Sequence, residues 1–116
     1  MVSGCTTNVA MPGYGATMRF SNPTFNDDIN VTVRRGIKWA HTKGSAIALV
    51  NKEEAIPICI TASKIVRFTD ISTEDLALEH DPSCRDFAGL LETMKKLYSR
   101  FDEMELVTVV YFVVIR

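Results

Sequence analysis

The sequence of 116 residues contains few cysteines, only two histidines and no long apolar segment. No window reaches 18 consecutive apolar residues, so the sequence predicts no transmembrane helix and no membrane partner. The cysteines, Cys5, Cys59 and Cys84, are odd in number and widely spaced, which does not predict a disulfide framework. No basic or apolar leader region precedes the "VSGC" segment, so we expect a reducing, cytoplasmic location rather than secretion.

Motifs for nucleotide and metal binding are absent as well. The sequence has neither a Walker A loop nor a GxGxxG fingerprint, and His41 and His80 show no zinc-ligand spacing with the cysteines. Nucleophile-elbow and HExxH patterns are also missing. We therefore predict no metal and no cofactor, and an enzyme built on this chain would need an unusual site.

The composition fits one domain with a hydrophobic core. Hydrophobic residues make up 47% and charged residues 23%, and the formal net charge is −1. The charges are unevenly distributed, with eight basic and four acidic residues in 1–67 but five basic and ten acidic residues in 68–116. This pattern fits a basic face opposite an acidic one, or a chance distribution of solvated charges.

Apolar alternation and β-branched residues predict about five strands. Two of them, in "SAIALVNKEEAIPICITASKIVRF", are joined as a hairpin at Asn51–Glu54, and Pro57 places the start of the second at an edge or a bulge. Both faces of Leu106 to Ile115 are apolar, so this strand is predicted to be central. The other strands are "TMRF" at 17–20 and "VTVRR" at 31–35.

Capping residues predict two to three helices. Asn22 with Pro23 indicates a short helix after "TMRF", Ser72 caps a second, and Asp81 with Pro82 begins the longest, over 81–101. Inside the longest helix, Gly89 is expected at a close contact, because glycine there costs about 1 kcal/mol against alanine. The predicted fold is α+β, a small mixed β-barrel with residues 17–116 as one domain and residues 1–16 as a loop or loosely ordered arm.

The segment "NVTVRRGIKWA" contains the first candidate site residues. Alternation places Val31 and Val33 on one face and Thr32 and Arg34 on the other, so Thr32 and Arg34 point away from the core if the valines face it. Arginine forks bind phosphate or base edges in pairs of hydrogen bonds. Arg34 and Arg35 could equally form salt bridges, with the acidic candidates Asp27, Asp28 and Glu79.

Two further groups have both a functional and a structural interpretation. Trp39, between Lys38 and His41, could stack on a base, or it could fold back onto the core. Glu79 beside His80 could perform acid–base chemistry. Alternatively, "EHD" could be a solvent-exposed helix end in which Asp81 caps the next element.

Three segments in order resemble the ASCH domain of the PUA-like superfamily. They are "FNDDINVTVRRG", "ITASKIVRFTDISTEDLALEH" and "LLETMKKLY" followed by "VTVVYFVVI". Together they cover roughly residues 17–115, and "TVRRGIKWA" is most similar to the short ASCH-like proteins of bacteriophages and their bacterial hosts. The resemblance implies a PUA-like pseudo-barrel with a cleft between barrel and helices that binds RNA or modified nucleotides.

Some members of this family are amidohydrolases that remove the acyl group from N4-acetylcytidine with a lysine, a threonine and a glutamate. By resemblance, Thr32 matches the threonine, Arg34 the motif arginine and Glu79 the glutamate. Ile29 stands where the family has its lysine, and the motif glycine is also missing, although Lys38 could reach in from the following loop.

We therefore expect an RNA- or nucleotide-binding module that uses Thr32, Arg34, Arg35, Lys38, Trp39 and Glu79. The alternative is a small hydrolase acting on RNA or modified nucleosides, with Thr32, Lys38 and Glu79 as candidate catalytic residues. A third possibility is a protein-interaction or structural role, either through an acidic face at Glu74, Asp75, Glu79 and Asp81 or through the N-terminal arm.

Overall fold

Five strands form one mixed sheet in the computed structural model, which describes residues 16–115. The strands are β1 (Thr17–Phe20), β2 (Asn30–Arg35), β3 (Gly44–Val50), β4 (Glu54–Arg67) and β5 (Leu106–Val114). The α-helices are α1 (Thr73–Ala77) and α2 (Phe87–Leu97), with short 3₁₀ helices at Phe68–Asp70 and Pro82–Cys84. The spatial order is β1-β3-β4-β5-β2, in which β1 runs parallel to β3 and the other neighbours are antiparallel.

The sheet curls so that its two edge strands approach each other. Nη2 of Arg34 on β2 donates to the main-chain oxygen of Arg19 on β1 at 3.0 Å, although the two strands are at opposite ends of the strand order. The result is a half-barrel with helices beside it, which confirms the predicted α+β mixed barrel of about five strands.

The central position of β5 is also confirmed. It lies between β4 and β2, and its side chains enter two separate core clusters. Val107 and Val109 pack under the helices, whereas Val110 and Phe112 pack inside the curl of the sheet. Both faces of the strand are apolar because each face has its own core.

The predicted β3–β4 hairpin is confirmed, but Glu54 already belongs to β4, so the connection is 51–53 rather than Asn51–Glu54. Val50 pairs with Glu54, and the turn places Asn51 and Lys52 at positive φ. Pro57 pairs with Ile47 on β3, whereas the pairing of β4 with β5 begins one residue later, at Ile58. The proline therefore lies at the one-sided start of the strand, where its missing N–H costs little.

Two helix predictions are wrong. Residues 21–29 form no helix, because Asn22 has φ of 47° rather than the extended conformation of an N-cap, and the side chain of Asn30 accepts the Asn26 N–H at 2.6 Å. Asp81 caps only the 3₁₀ helix at Pro82–Cys84, and α2 begins at Phe87 with Asp86 as its N-cap. The predicted Ser72 cap of α1 is confirmed, since its side chain accepts the Asp75 N–H.

Among residues 16–115, no helix is both long enough and apolar enough to cross a membrane. Cys84 is a free, buried thiol, whereas Cys59 on β4 is disulfide-bonded, which the cysteine spacing did not predict. The predicted N-terminal arm lies outside the described residues except for residue 16, and the division into arm and domain stays a prediction.

Candidate ligand cleft and basic surface

A cleft of about 330 Å³ opens between the two edge strands and α2. Its wall combines side chains of β1, β2, the segment 79–84 and one face of α2. The lining residues are Arg19, Phe20, Ser21, Thr32, Val33, Arg34, Glu79, His80, Asp81, Cys84, Leu90, Thr93, Met94, Leu97 and Tyr98. Thr32, Arg34 and Glu79, which the family resemblance grouped, therefore line one cleft.

The alternation of β2 holds, but the face opposite its valines is not open to solvent. Val31 and Val33 enter the core under the helices, whereas Thr32 pairs with Val110, which belongs to the core inside the curl. Thr32 is only 2% exposed. Thr32 therefore points away from the core that the valines enter, as expected, but the curl of the sheet gives β2 a second core on that side.

Arg34 is held in place by three contacts. Its Nε donates to Oγ1 of Thr32 at 3.1 Å, its Nη2 donates to the Arg19 oxygen, and its guanidinium lies 4.9 Å from the ring centroid of Phe20. Burial lowers the pKa of Arg34, and the nearby charge of Glu79 acts in the opposite direction. Nη1 makes no hydrogen bond with another of residues 16–115, so Arg34 offers an oriented donor to the cleft.

Glu79 places a buried carboxylate in the cleft wall. The chain leaves α1 after Leu78 and runs beside β2, where Glu79 forms a parallel bridge with Val31. The carboxylate is 2% exposed, and its Oε1 lies 2.7 Å from Nδ1 of His80 and accepts the Asp81 N–H at 3.2 Å. A buried carboxylate held from one side can accept a hydrogen bond from a ligand, and the paired histidine could exchange a proton with it.

A second pocket, of about 270 Å³, adjoins the cleft. It is lined by Thr17, Arg19, Arg34, Arg35, Lys38, Trp39 and Tyr98, and we call this set the basic surface. Four of its residues are cationic and none is acidic. Arg19, Arg34 and Tyr98 belong to both sites, so the basic surface continues directly into the cleft.

Arg35 is largely occupied by the protein itself. Its Nε and Nη2 donate to the two carboxylate oxygens of Glu105 at 2.7 and 3.0 Å, and its Nη1 donates to the oxygen of Ser99. The hydrogen bond raises the pKa of Arg35 and lowers the pKa of Glu105. The acidic partner is thus none of the three carboxylates that the sequence suggested.

Trp39 both packs on the core and lines a candidate binding surface, which were its two predicted roles. It is half-buried against the core inside the curl, and it also lines the basic surface with the ammonium of Lys38 5.8 Å from its ring. Lys38 does not line the cleft, and Ile29 is 38% exposed and lines neither pocket. Within residues 16–115 the cleft wall therefore contains no lysine, and the lysine, threonine and glutamate of the family amidohydrolases are not brought together.

The predicted acidic face is not formed as a unit. Asp75 is 8% exposed and its carboxylate lies 2.9 Å from the ammonium of Lys64, while Glu79 is buried in the cleft wall. Only Glu74 among the four acidic residues is fully on the surface. No group of three or more potential metal ligands occurs within the described part of the chain.

Sequence reasoning missed Arg19 and Tyr98. Arg19 alternates with the buried Met18 and Phe20, so its outward orientation could be read from "TMRF". What the sequence could not show is that β1 curls round to meet β2. Tyr98 follows the last residue of α2, and it packs on the core while also lining both pockets.

The curled mixed sheet, with helices beside it and a cleft at its two edge strands, is similar to a solved structure. That structure is an ASCH domain from Lactobacillus crispatus JV V101, with a TM-score of 0.59 and 13% sequence identity. The alignment covers 87% of this chain and 80% of that chain. The protein therefore has an ASCH-like fold. No family model and no curated protein matches the sequence.

Proposed function

We propose that this protein is an RNA- or nucleotide-binding module whose cleft holds a base and whose basic surface holds phosphate. One observation carries the proposal. Thr32, Arg34 and Glu79 line a single cleft, and that cleft is continuous with a surface of four cations and no acid. Its fold, which is shared with an ASCH domain, supports the same class of ligand.

The cleft offers the polar groups that a base requires. Its volume is at the lower end of ligand pockets, and its wall combines apolar side chains with a few fixed polar groups. The carboxylate of Glu79 accepts from an amino or ring N–H group, and Nη1 of Arg34 donates to a ring nitrogen or carbonyl oxygen. Recognition of a modified base falls within the same proposal. Thr93 and Met94 of α2 line the opposite wall, where they would contact a substituent carried by the base.

The basic surface provides the phosphate and stacking contacts. Lys38 and Arg19 are exposed and lie beside Arg34, whereas Arg35 is neutralised by Glu105. Trp39 presents part of its ring next to these cations, where a neighbouring base can stack. We propose a cytoplasmic location. Cys59 is disulfide-bonded in the structure, and in a reducing compartment that bond would be opened.

The test is the affinity for a short, mixed-sequence single-stranded RNA, measured by fluorescence anisotropy at several salt concentrations. Neutralising two or three phosphates would give a slope of log affinity against log salt of about −1.4 to −2.1. Arg34→Ala and Trp39→Ala should each weaken binding by about tenfold, since a base stack or a charged hydrogen bond contributes on the order of 1–3 kcal/mol.

The matched control is Lys95→Ala, which removes an exposed cation of α2 that lines neither pocket. It should leave the affinity within about twofold, because exposed charges away from the ligand are screened by salt. Unchanged affinity in both Arg34→Ala and Trp39→Ala would contradict the site, and salt-independent binding would contradict phosphate contact.

The contact between Glu79 and His80 favours a second candidate, a hydrolase acting on RNA or modified nucleosides. A carboxylate paired with an imidazole at 2.7 Å is able to move a proton, although no lysine lines the cleft within the described residues. Incubation with N4-acetylcytidine, followed by chromatography of the products, tests this candidate. Deacetylation that Glu79→Gln abolishes would support it, whereas deacetylation that persists in both Glu79→Gln and Lys38→Ala would place the activity elsewhere.

A further inference from the structure

The hydrogen-bonding direction of β2 follows from its register with β5. The Gly36 N–H donates to the Leu106 oxygen at 3.0 Å, just beyond the last pair of the ladder. Alternate residues of a strand direct their N–H and C=O groups to opposite sides. Thr32 therefore directs its main-chain groups toward β5, whereas Val31 and Val33 direct theirs away from the sheet.

The main-chain groups of Val31 have hydrogen-bond partners, whereas those of Val33 have none in the described part of the chain. The Val31 N–H donates to the Leu78 oxygen at 2.9 Å, and the Val31 oxygen accepts the His80 N–H at 3.1 Å. The segment that covers this edge then turns away into the 3₁₀ helix at Pro82–Cys84. No hydrogen bond joins the main-chain N–H or C=O of Val33 to another of residues 16–115.

Val33 is also enclosed. It is 6% exposed, and it belongs to the lining of the cleft. A buried main-chain donor and acceptor without partners are costly, and native folds leave few of them unsatisfied. In Val33 the fold thus presents one donor and one adjacent acceptor to whatever occupies the cleft.

We propose that the main-chain N–H and C=O of Val33 bind the hydrogen-bonding edge of a nucleobase, in the way that an added strand would bind an open sheet edge. This inference rests on the proposed function and names which part of the ligand enters the cleft. A phosphate only accepts hydrogen bonds, so it satisfies one of the two groups and leaves the other unpaired. A base offers an acceptor beside a donor on one planar edge, as cyclic amides and amidines do.

Glu79 extends this recognition. Glu79 is bridged to Val31, which is two residues before Val33 and faces the same edge of β2. Its carboxylate lines the same cleft. Since a carboxylate only accepts, it favours a base that carries a second N–H donor. The ligand class is therefore a base with its pairing edge unmodified, bound through that edge, with its phosphate outside on the basic surface.

Amide hydrogen exchange followed by NMR tests the role of Val33. In the free protein the Val33 amide should exchange at least about tenfold faster than the Thr32 amide, which is bonded to β5. The probes are the four common nucleoside 5′-monophosphates, each added to saturation. A monophosphate that binds should slow the exchange of Val33 by at least about tenfold. Ile65 on β4 is the internal control, because it lines neither the cleft nor the basic surface, and its exchange should stay unchanged.

Chemical variants of the ligand provide the second measurement. Guanosine 5′-monophosphate carries an acceptor and two N–H donors on its pairing edge. Methylated at N1, it loses one of these donors and should bind at least about tenfold more weakly than guanosine 5′-monophosphate. A methyl group at position 7 of the 7-deaza analogue adds the same bulk away from N1 and should change the affinity by less than about threefold. Equal affinity for the N1-methyl and unmethylated nucleotides would contradict recognition through the pairing edge.

The outcomes separate this inference from the function on which it rests. Binding that shifts other cleft amides but leaves Val33 exchange unchanged would overturn the inference and leave the proposed function standing. Protection of Val33 equal to that of Thr32 in the free protein would also overturn it. If neither a monophosphate nor RNA binds at all, both the proposed function and the inference are wrong.

Discussion

At the scale of single residues, Arg34 is the side chain that connects the two edge strands at the site. It reaches from β2 to the main chain of β1 and at the same time lies against Phe20. Its orientation depends on Thr32, whose hydroxyl oxygen accepts a hydrogen bond from Nε of Arg34 inside the cleft. Because a cation held in one geometry loses less entropy when a ligand binds, Thr32 should affect binding through Arg34.

Replacing Thr32 with valine tests this dependence. Thr32→Val keeps the shape of the side chain and removes the acceptor, so we expect a stability loss of about 1 kcal/mol. RNA affinity should fall by about three- to tenfold, because Arg34 is no longer held over Phe20. Urea unfolding and RNA anisotropy measure the two effects separately.

The matched control is Thr61→Val on β4. The Thr61 hydroxyl donates to the Tyr111 oxygen at 3.3 Å, and the residue lines neither pocket. It should lose a similar amount of stability while RNA affinity stays the same. Equal RNA affinities in the two variants would show that Thr32 does not position Arg34.

The sequence predicted the orientation of Thr32 and Arg34 on β2 better than it predicted their surroundings. Period-two alternation is a local property, so it correctly placed Thr32 and Arg34 on the face opposite the valines of β2. Whether that face meets solvent or a second core depends on the curl of the whole sheet. The meeting of Arg19 with Arg34 depends on the same curl, and no local pattern encodes it.

At the scale of elements, α2 is positioned by the approach of Gly89 to the preceding 3₁₀ helix. An ideal Cβ added at Gly89 would lie 1.9 Å from the Ser83 oxygen, far inside contact distance. The expected close contact at Gly89 is therefore confirmed. This contact helps to set where Leu90 and Met94 meet the cleft.

Substitution of Gly89 by alanine separates packing from helix propensity. Propensity alone would stabilise Gly89→Ala by about 1 kcal/mol. We instead expect a net destabilisation of about 1–2 kcal/mol in urea unfolding, because α2 must shift away from backbone atoms. Ala88→Gly, at an exposed neighbour in the same helix, calibrates the propensity effect. A more stable Gly89→Ala variant would contradict the close packing.

A second link between elements joins α1 to the sheet. Oδ2 of Asp75 accepts the Tyr111 hydroxyl at 2.7 Å and lies 2.9 Å from Nζ of Lys64. Burial raises the pKa of Asp75, but the hydrogen bonds from Lys64 and Tyr111 outweigh burial and hold it below its ordinary value of 3.8. The same contact with Asp75 raises the pKa of Lys64.

This link predicts a pH-dependent contribution to stability. Because the folded-state pKa of Asp75 is lowered, its stabilisation is complete above about pH 4 and is lost as the pH falls through the folded pKa. The difference in unfolding free energy between the wild type and Asp75→Asn should therefore shrink toward acid pH. Urea unfolding from about pH 2 to pH 6 measures the difference, and a gap that stays constant over this range would contradict the link.

The errors in helix prediction arise at the element scale. The sequence predicted Asp81 with Pro82 as the start of the longest helix, because proline suits a first helical position, and Asp86 was not singled out. The structure begins α2 at Asp86, after the chain has bent through Pro82–Cys84. Asn22 with Pro23 has the same local signature, but residues 21–29 bond instead to the hairpin and to Asn30.

At the scale of the whole molecule, the excess of basic residues in 1–67 corresponds to the basic surface beside the cleft. The cations of the basic surface, Arg19, Arg34, Arg35 and Lys38, all come from the part of the chain that is rich in basic residues. The curl of the sheet brings β1 and β2 together and so collects them beside the cleft. Among these cations Arg35 is neutralised by Glu105, whereas the carboxylate of Glu79 lies against Nδ1 of His80.

The measurement that tests the central claim most directly is a titration of the labelled protein with a short single-stranded RNA, followed by amide chemical shifts. We predict saturable shifts at Arg19, Thr32, Arg34 and Glu79, with little change at Lys64 and Ile65, which line neither pocket. Shifts centred on Lys64 and Ile65, or no saturable shift at any cleft residue, would contradict the claim that this cleft binds RNA.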